Sequence, residues 1–434
     1  MNSMQEHRQE INALYYGLLS LSVYRGVTEQ PVTGAVAALV KAAAAGDKAA
    51  VCGGCGALCR TLAAAGRLDS LPSAMAEEVL ADDNPYAEAL SSGKPVPPLL
   101  QQAALRDLGV LYRAATLCRE DVAAGLDAYV AAVLPAWGTQ PAAAPMDLPW
   151  DSRPEALAAY HARHGCGRFA RHIAFLWRDG ALLPVEHPDP IRLSNLKGYE
   201  YQRRIAVDNT LAFLNGFEAN NMLLYGDRGT GKSSTVKALL NEYAEKGLRM
   251  IEMPKEYLRQ LPDLTGYLAG LPMKFILFID DLSFSENDDS FAALKAVLEG
   301  GLASRPDNVM IYATSNRRHL LRETFSDREG DEVHRADTVQ EAVSLSDRFG
   351  ISLTFLMPDK QRFLEIVEQI AEDRGLQTDR QRLLAAAERW ALERGARSPR
   401  YARQFIADVQ ARLGRGEELG GKHGDFQPPA APGG

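Results

Sequence analysis

The feature that most constrains this chain is one octapeptide, Gly226-Asp227-Arg228-Gly229-Thr230-Gly231-Lys232-Ser233, which satisfies G-x-x-x-x-G-K-[ST] in full. An apolar run, Met222-Leu223-Leu224-Tyr225, leads into it, and Val236, Leu239, Leu240 and Tyr243 mark one face of a helix leading out. Strand, glycine-rich turn and helix in that order form a phosphate cradle. The glycines let successive amide N–H groups turn inward, and the helix adds the positive end of its dipole. Lys232 would serve the β- and γ-phosphates, and the Ser233 hydroxyl would ligate magnesium, with Ser234 beside it in the first helical turn. The expected ligand is ATP or GTP with Mg²⁺.

Such a loop needs a carboxylate at the end of a neighbouring strand. Phe275-Ile276-Leu277-Phe278-Ile279 is a continuous apolar run, as a strand covered on both faces should be, and it ends in Asp280-Asp281. Asp280 is the expected magnesium residue. Asp281 is either a base that polarises water or the cap of the next turn, with Ser283 and Asn287 as further turn formers. A second apolar run, Val309 to Ala313, ends in Thr314-Ser315-Asn316, where an amide would face the same crevice.

Around these motifs, five strand candidates (Asn221 to Tyr225, Arg249 to Met253, Phe275 to Ile279, Asn308 to Ala313 and Ile351 to Leu356) alternate with helical patterns. The implied class is α/β, a parallel sheet covered by helices. Residues 1–134 read as an alanine- and leucine-rich helical domain, 135–154 as a proline-rich linker, and 155–190 as a helix and β-hairpin connector turning at Arg178-Asp179-Gly180. The α/β core is placed at 191–357, a three-helix unit at 358–413, and a glycine- and proline-rich disordered tail at 414–434.

The chain has 434 residues and a net charge of -8, which argues against an obligate nucleic-acid coat but not against a local basic face. No secretory leader or membrane-length apolar stretch is read in it, and five cysteines do not suggest a disulfide framework, so a cytoplasmic location without membrane partners is expected. Cys52, Cys55 and Cys59 share one helical face and read as core packing rather than a zinc site. The acidic cluster at Glu286 to Asp289 reads as a solvated loop opening a helix.

Taken in order, GDRGTGKS, FILFIDD, IYATSN, LSDRFG and GARSPR resemble the Walker A, Walker B, sensor 1, arginine finger and sensor 2 elements of AAA+ ATPases. Together with LKGYEYQR and DDLSFSENDDSFAALKAVLEGGL they are similar to a bacterial AAA+ family known only as a domain of unknown function, over about Ile191 to Arg412. The resemblance implies an AAA+ core with a helical lid, ATP and Mg²⁺ as ligands, and homo-oligomeric assembly. It also implies Asn316 as sensor 1, Arg348 as a finger reaching a neighbour's γ-phosphate, and Arg400 as sensor 2 with Arg397 as competitor. Arg317 and Arg318 are further finger candidates.

One departure matters, because the family pattern carries Asp-Glu where this chain has Asp280-Asp281. Two functions follow: an ATPase that remodels or loads an unidentified macromolecular client, or a nucleotide-dependent binding module with little hydrolysis. Nucleic-acid contact through Arg317 to Arg322 or Arg394 to Arg403 is a question under both.

Overall fold

The computed structural model describes residues 2–124, 126–283, 293–295, 297–298, 306–316 and 348–417. The fold is of the class the sequence implied, with a helical N-terminal domain, a mostly parallel sheet covered by helices, and a small helical lid.

Helices Asn2–Leu19, Pro31–Ala45, Lys48–Ala64, Leu71–Leu80 and Pro98–Ala115 build the N-terminal core around Val36, Leu39, Leu58, Met75 and Leu111, all fully buried. Cys55 lies inside this core and burial pushes its thiol up to about 11, while Cys52 and Cys59 pack against its edge. The proline-rich stretch at 135–154 is strapped onto the same core rather than spanning solvent. Its side chains Trp137, Met146 and Trp150 are buried there, the Trp137 indole donates to the Leu117 carbonyl at 2.9 Å, and Gly138 exchanges backbone bonds with Leu68 and Leu71. Proline spacing forbids helix and strand, but the aromatic residues between the prolines supply enough apolar surface to anchor irregular backbone.

Seven strands form one sheet: β1 (Ala174–Arg178), β2 (Ala181–Pro184), β3 (Met222–Gly226), β4 (Leu248–Glu252), β5 (Lys274–Ile279), β6 (Val309–Ser315) and β7 (Ile351–Phe355). Their order is β2-β1-β4-β5-β6-β3-β7, and every pair except the β1–β2 hairpin is parallel. The hairpin turns on Asp179 and Gly180, both at positive φ, as a two-residue loop requires. Because β1 pairs with β4, the hairpin extends the main sheet past the expected start of the core at 191. β5 and β6 are buried along nearly their whole length, with apolar clusters on both faces of the sheet.

One buried cation ties the segment before the hairpin to the sheet. Arg249 on β4 is 2% exposed, and its guanidinium donates to the carbonyls of Phe169, Ala244, Leu248 and His164 at 2.8–3.2 Å. Burial pushes its pKa down to about 10, and the four carbonyls take four of its five N–H donors where a carboxylate would normally stand.

Three helices, Lys360–Asp373, Arg380–Glu393 and Pro399–Gly414, close around Phe363, Ile366, Val367, Ala387 and Ile406 to form the lid. Asp359, Asp379 and Ser398 cap their N-termini through side-chain oxygens. The lid leans on the core through Lys197–Asp373 at 2.6 Å and an Arg362–Glu200 pair. The last lid helix ends at Gly414, and the stretch from 418 on lies outside the described residues.

Candidate nucleotide-binding site

The glycine-rich loop joins β3 to the helix Lys232–Tyr243 at the carboxyl edge of the parallel sheet, where ligand crevices of such sheets form. Its glycines are required sterically. Gly226 (φ 130°) approaches β7 so closely that an added Cβ would stand 2.2 Å from the Phe355 carbonyl oxygen, and Gly229 and Gly231 also hold positive φ. The Asp227 amide donates to Phe355 O at 2.9 Å, and its carboxylate accepts from Met357 N at 2.5 Å, so the loop is pinned to the strand leading into the lid. The Thr230 hydroxyl donates to Asp227 O at 2.8 Å and is buried, closing the loop on itself.

Lys232 is 6% exposed. Its ammonium donates to Gly226 O at 2.9 Å, Asp227 O at 2.7 Å and the Asn316 Oδ1 atom at 3.1 Å. Burial lowers its pKa from the usual lysine value, and the fields of Asp227, Asp280 and Asp281 oppose that shift. The Ser233 hydroxyl donates to Asp280 Oδ1 at 2.6 Å, bringing together the two oxygens the sequence assigned to a metal. The amide of Asn316 donates to Asp281 Oδ1 at 2.6 Å. A chain of contacts therefore runs from Lys232 through Asn316 to Asp281, across three separate elements of the sheet edge.

Thr314 is a residue whose role sequence reasoning missed. Its hydroxyl donates to Asp280 Oδ1 and accepts the Asp281 amide at 3.0 Å, so one buried side chain at the end of β6 holds both aspartates at the end of β5. Asp281 itself sits at φ 51°, the left-handed region, which aspartate tolerates better than most residues. The in-register pairing of Phe278 with Tyr312 and Ile279 with Ala313 puts these strand ends side by side. Only that register shows that Thr314 faces the aspartates.

A cavity of about 500 Å³ opens over the loop. It is lined by Lys232, Ser233, Ser234, Asp280, Asp281 and Asn316 from the core, and by Arg400, Arg403 and Gln404 from the lid. The lid touches the loop directly, with Arg400 N donating to Gly229 O at 3.2 Å. Arg400 thus reaches the cavity and Arg397 is not among its lining residues. Arg348 lies exposed before the buried Phe349 and is not among the residues lining this cavity. Arg317, Arg318 and the Glu286–Asp289 cluster lie outside the described residues.

Residues 170–413 match the family described as "Protein of unknown function (DUF815)", which is more than half of the chain. The chain belongs to the DUF815 family. The match takes in the hairpin, the whole sheet and the lid of this DUF815 chain, and leaves its N-terminal helices outside. Among solved structures, it is similar to the Thermotoga maritima RuvB Holliday junction branch migration motor, at 18% identity and a TM-score of 0.37. That likeness covers 52% of this chain and 66% of the motor, just under two thirds of the motor's length. A single-substitution variant of the same motor matches at 17% identity over 53% of this chain and 68% of its own, with a TM-score of 0.37. No curated protein matches the chain.

The residues present fit a magnesium-bound nucleoside triphosphate. A cavity of this size suits a small ligand, the glycines Gly229 and Gly231 offer it backbone rather than side chains, and the buried Lys232 ammonium is among its lining groups. Ser233 and Asp280 offer the hard oxygens that magnesium prefers.

Proposed function

We propose that this DUF815 chain is a magnesium-dependent ATPase that hydrolyses ATP at the interface between copies of itself and so acts on a macromolecular client. The observation that carries this reading is the 2.6 Å contact between Ser233 Oγ and Asp280 Oδ1, made directly beside the buried Lys232. The glycine-rich loop, the Lys232 ammonium and the Ser233 and Asp280 oxygens lie together at one sheet edge, which supports reading them as phosphate cradle, phosphate cation and metal ligands.

Magnesium and ATP, bound together, would bring a terminal phosphoryl group open to attack by water. The backbone of Gly226 to Ser234 would hold the phosphates, and Lys232 would neutralise them. Asn316 would orient the attacking water and Asp281 would accept its proton, in line with their mutual contact at 2.6 Å. Arg400 would read the bound state from the lid, supported by the Arg400 N to Gly229 O contact. Arg348 lies outside its own subunit's cavity, which suits an arginine offered to a neighbouring copy.

A second reading, a nucleotide-dependent switch with little turnover, is favoured by Asp281 itself. Its short carboxylate is engaged by Asn316 and its backbone is fixed at positive φ, which limits its reach toward water.

Phosphate release from ATP, measured against protein concentration, tests both. The ATPase reading expects specific activity to rise with concentration, Lys232→Ala to abolish nucleotide binding, and Arg348→Ala to keep binding while losing most turnover. Equal turnover in wild type and Arg348→Ala would remove the interface mechanism, and tight ATP binding without phosphate release would select the switch. Nucleic acid enters as a partner only if DNA binding is salt-dependent and survives Lys232→Ala.

A further inference from the structure

The lid presents two arginines to the cavity, and only one has an assigned role. Arg400 and Arg403 are three residues apart on the helix Pro399–Gly414, so their side chains leave the same face one above the other. Gln404 follows on that face and lines the cavity with them. The helix is fixed against the loop, because Arg400 N bonds Gly229 O and the Ser398 hydroxyl lies 3.0 Å from where a Gly229 Cβ would stand.

Arg403 is half-buried, yet among the described residues it has no hydrogen-bond or ion-pair partner. Its surroundings are cationic. Burial lowers its pKa first, the Arg374 and Arg400 guanidinium groups lower it further, and the field of Asp189 opposes them. Half-burying a guanidinium among like charges without a hydrogen-bonding carboxylate is costly, and an anion in the cavity would reverse the sign of that cost. The planar fork of arginine suits phosphate oxygens, which accept two parallel N–H bonds.

We propose that Arg403 is a second polyphosphate-binding residue of the lid, acting with Arg400 and Lys232 on the phosphate chain of the bound nucleotide. This rests on the reading of the cavity as a nucleotide site. The pair closes the lid side of the phosphates while the loop closes the core side. A polyphosphate therefore favours contact between lid and loop.

The test titrates the full chain with Mg-ATP, inorganic tripolyphosphate and adenosine, comparing wild type with Arg403→Ala and Arg403→Gln. Gln keeps much of the stem, so it serves if Ala does not fold, and thermal unfolding checks each variant. The affinity for ATP and for tripolyphosphate should fall about 10- to 100-fold in both variants, as expected for loss of a charge-assisted contact. Adenosine affinity should stay unchanged. Arg403→Lys should recover part of the loss, a result that mere packing of the stem would not separate from the glutamine variant. A change below about twofold for tripolyphosphate, or an equal loss for adenosine, overturns the proposal. Wild type that binds neither ATP nor tripolyphosphate would instead overturn the nucleotide reading of the cavity.

Discussion

Removing the Thr314 hydroxyl by Thr314→Val should loosen both aspartates at once while leaving shape almost unchanged. Thr314 is 1% exposed, and its hydroxyl makes one bond to the Asp280 carboxylate and one from the Asp281 amide. A bond to a charged group contributes roughly 1.5–3 kcal/mol, but Asp280 is exposed and water replaces part of it, so about 1–1.5 kcal/mol of orientation is lost. Ser233 would then remain as the one side-chain donor to Asp280 among the described residues, and the carboxylate could rotate about that single contact. A loss of this size corresponds to about a tenfold weaker hold on the metal. ATP binding titrated against magnesium should shift its midpoint upward by about that factor, and phosphate release at saturating ATP should fall at least as much. Thr314→Ser, which keeps the oxygen, should stay near wild type. If Thr314→Val matches wild type in both magnesium dependence and turnover, the hydroxyl does not position the aspartates and the argument fails.

Three further outcomes are expected. Gly226→Ala should cost more than about 3 kcal/mol, seen as a large drop in thermal midpoint, because φ is 130° and the new Cβ would stand 2.2 Å from Phe355 O; an unchanged midpoint would contradict the close approach. Asp281→Glu should raise phosphate release about tenfold if reach limits the base, and no increase would locate the limit elsewhere. Stability should fall as pH drops from 6.5 toward 4, because burial and then Arg249 hold the His164 pKa down at about 4. In that window the unfolded chain binds a proton the folded chain resists; the full difference is roughly 3 kcal/mol, about 1–2 kcal/mol after solvent screening. Unfolding at pH 7 and pH 5 should show His164→Gln losing part of the wild-type slope; an identical slope would assign it to other groups.

β5 and β6 were legible because each carries a short, continuous apolar run, and β5 begins one residue before the run read from sequence. The lid was legible as the three-helix unit placed at 358–413, and in the structure Asp359, Asp379 and Ser398 cap the three helices. Pairings remote in sequence were not. Nothing local in Ala174 to Arg178 tells that it lies beside β4, and nothing in the proline-rich stretch tells that Trp137 and Trp150 are swallowed by the helical core. Within the site, the loop and Asp280 carry a spacing that chemistry dictates. Thr314 and Arg403 carry none, since their importance comes from strand register and helix phase rather than from a motif. Arg249 runs against expectation most clearly, for a cation with no carboxylate partner among the described residues is normally assigned to the surface.

That arginine has a consequence for how the molecule can be divided. Two of its four acceptors, the carbonyls of His164 and Phe169, belong to backbone that precedes the matched segment beginning at 170. A fragment starting at Ile191 would strip these acceptors away together with β1, baring the flank of β4 and leaving a desolvated charge half unsatisfied. The α/β half is therefore not autonomous at its motif boundary. Any transplant of it onto another N-terminal domain has to carry the chain from about Pro154 onward, and the seam between the two halves lies upstream of every residue proposed to touch nucleotide.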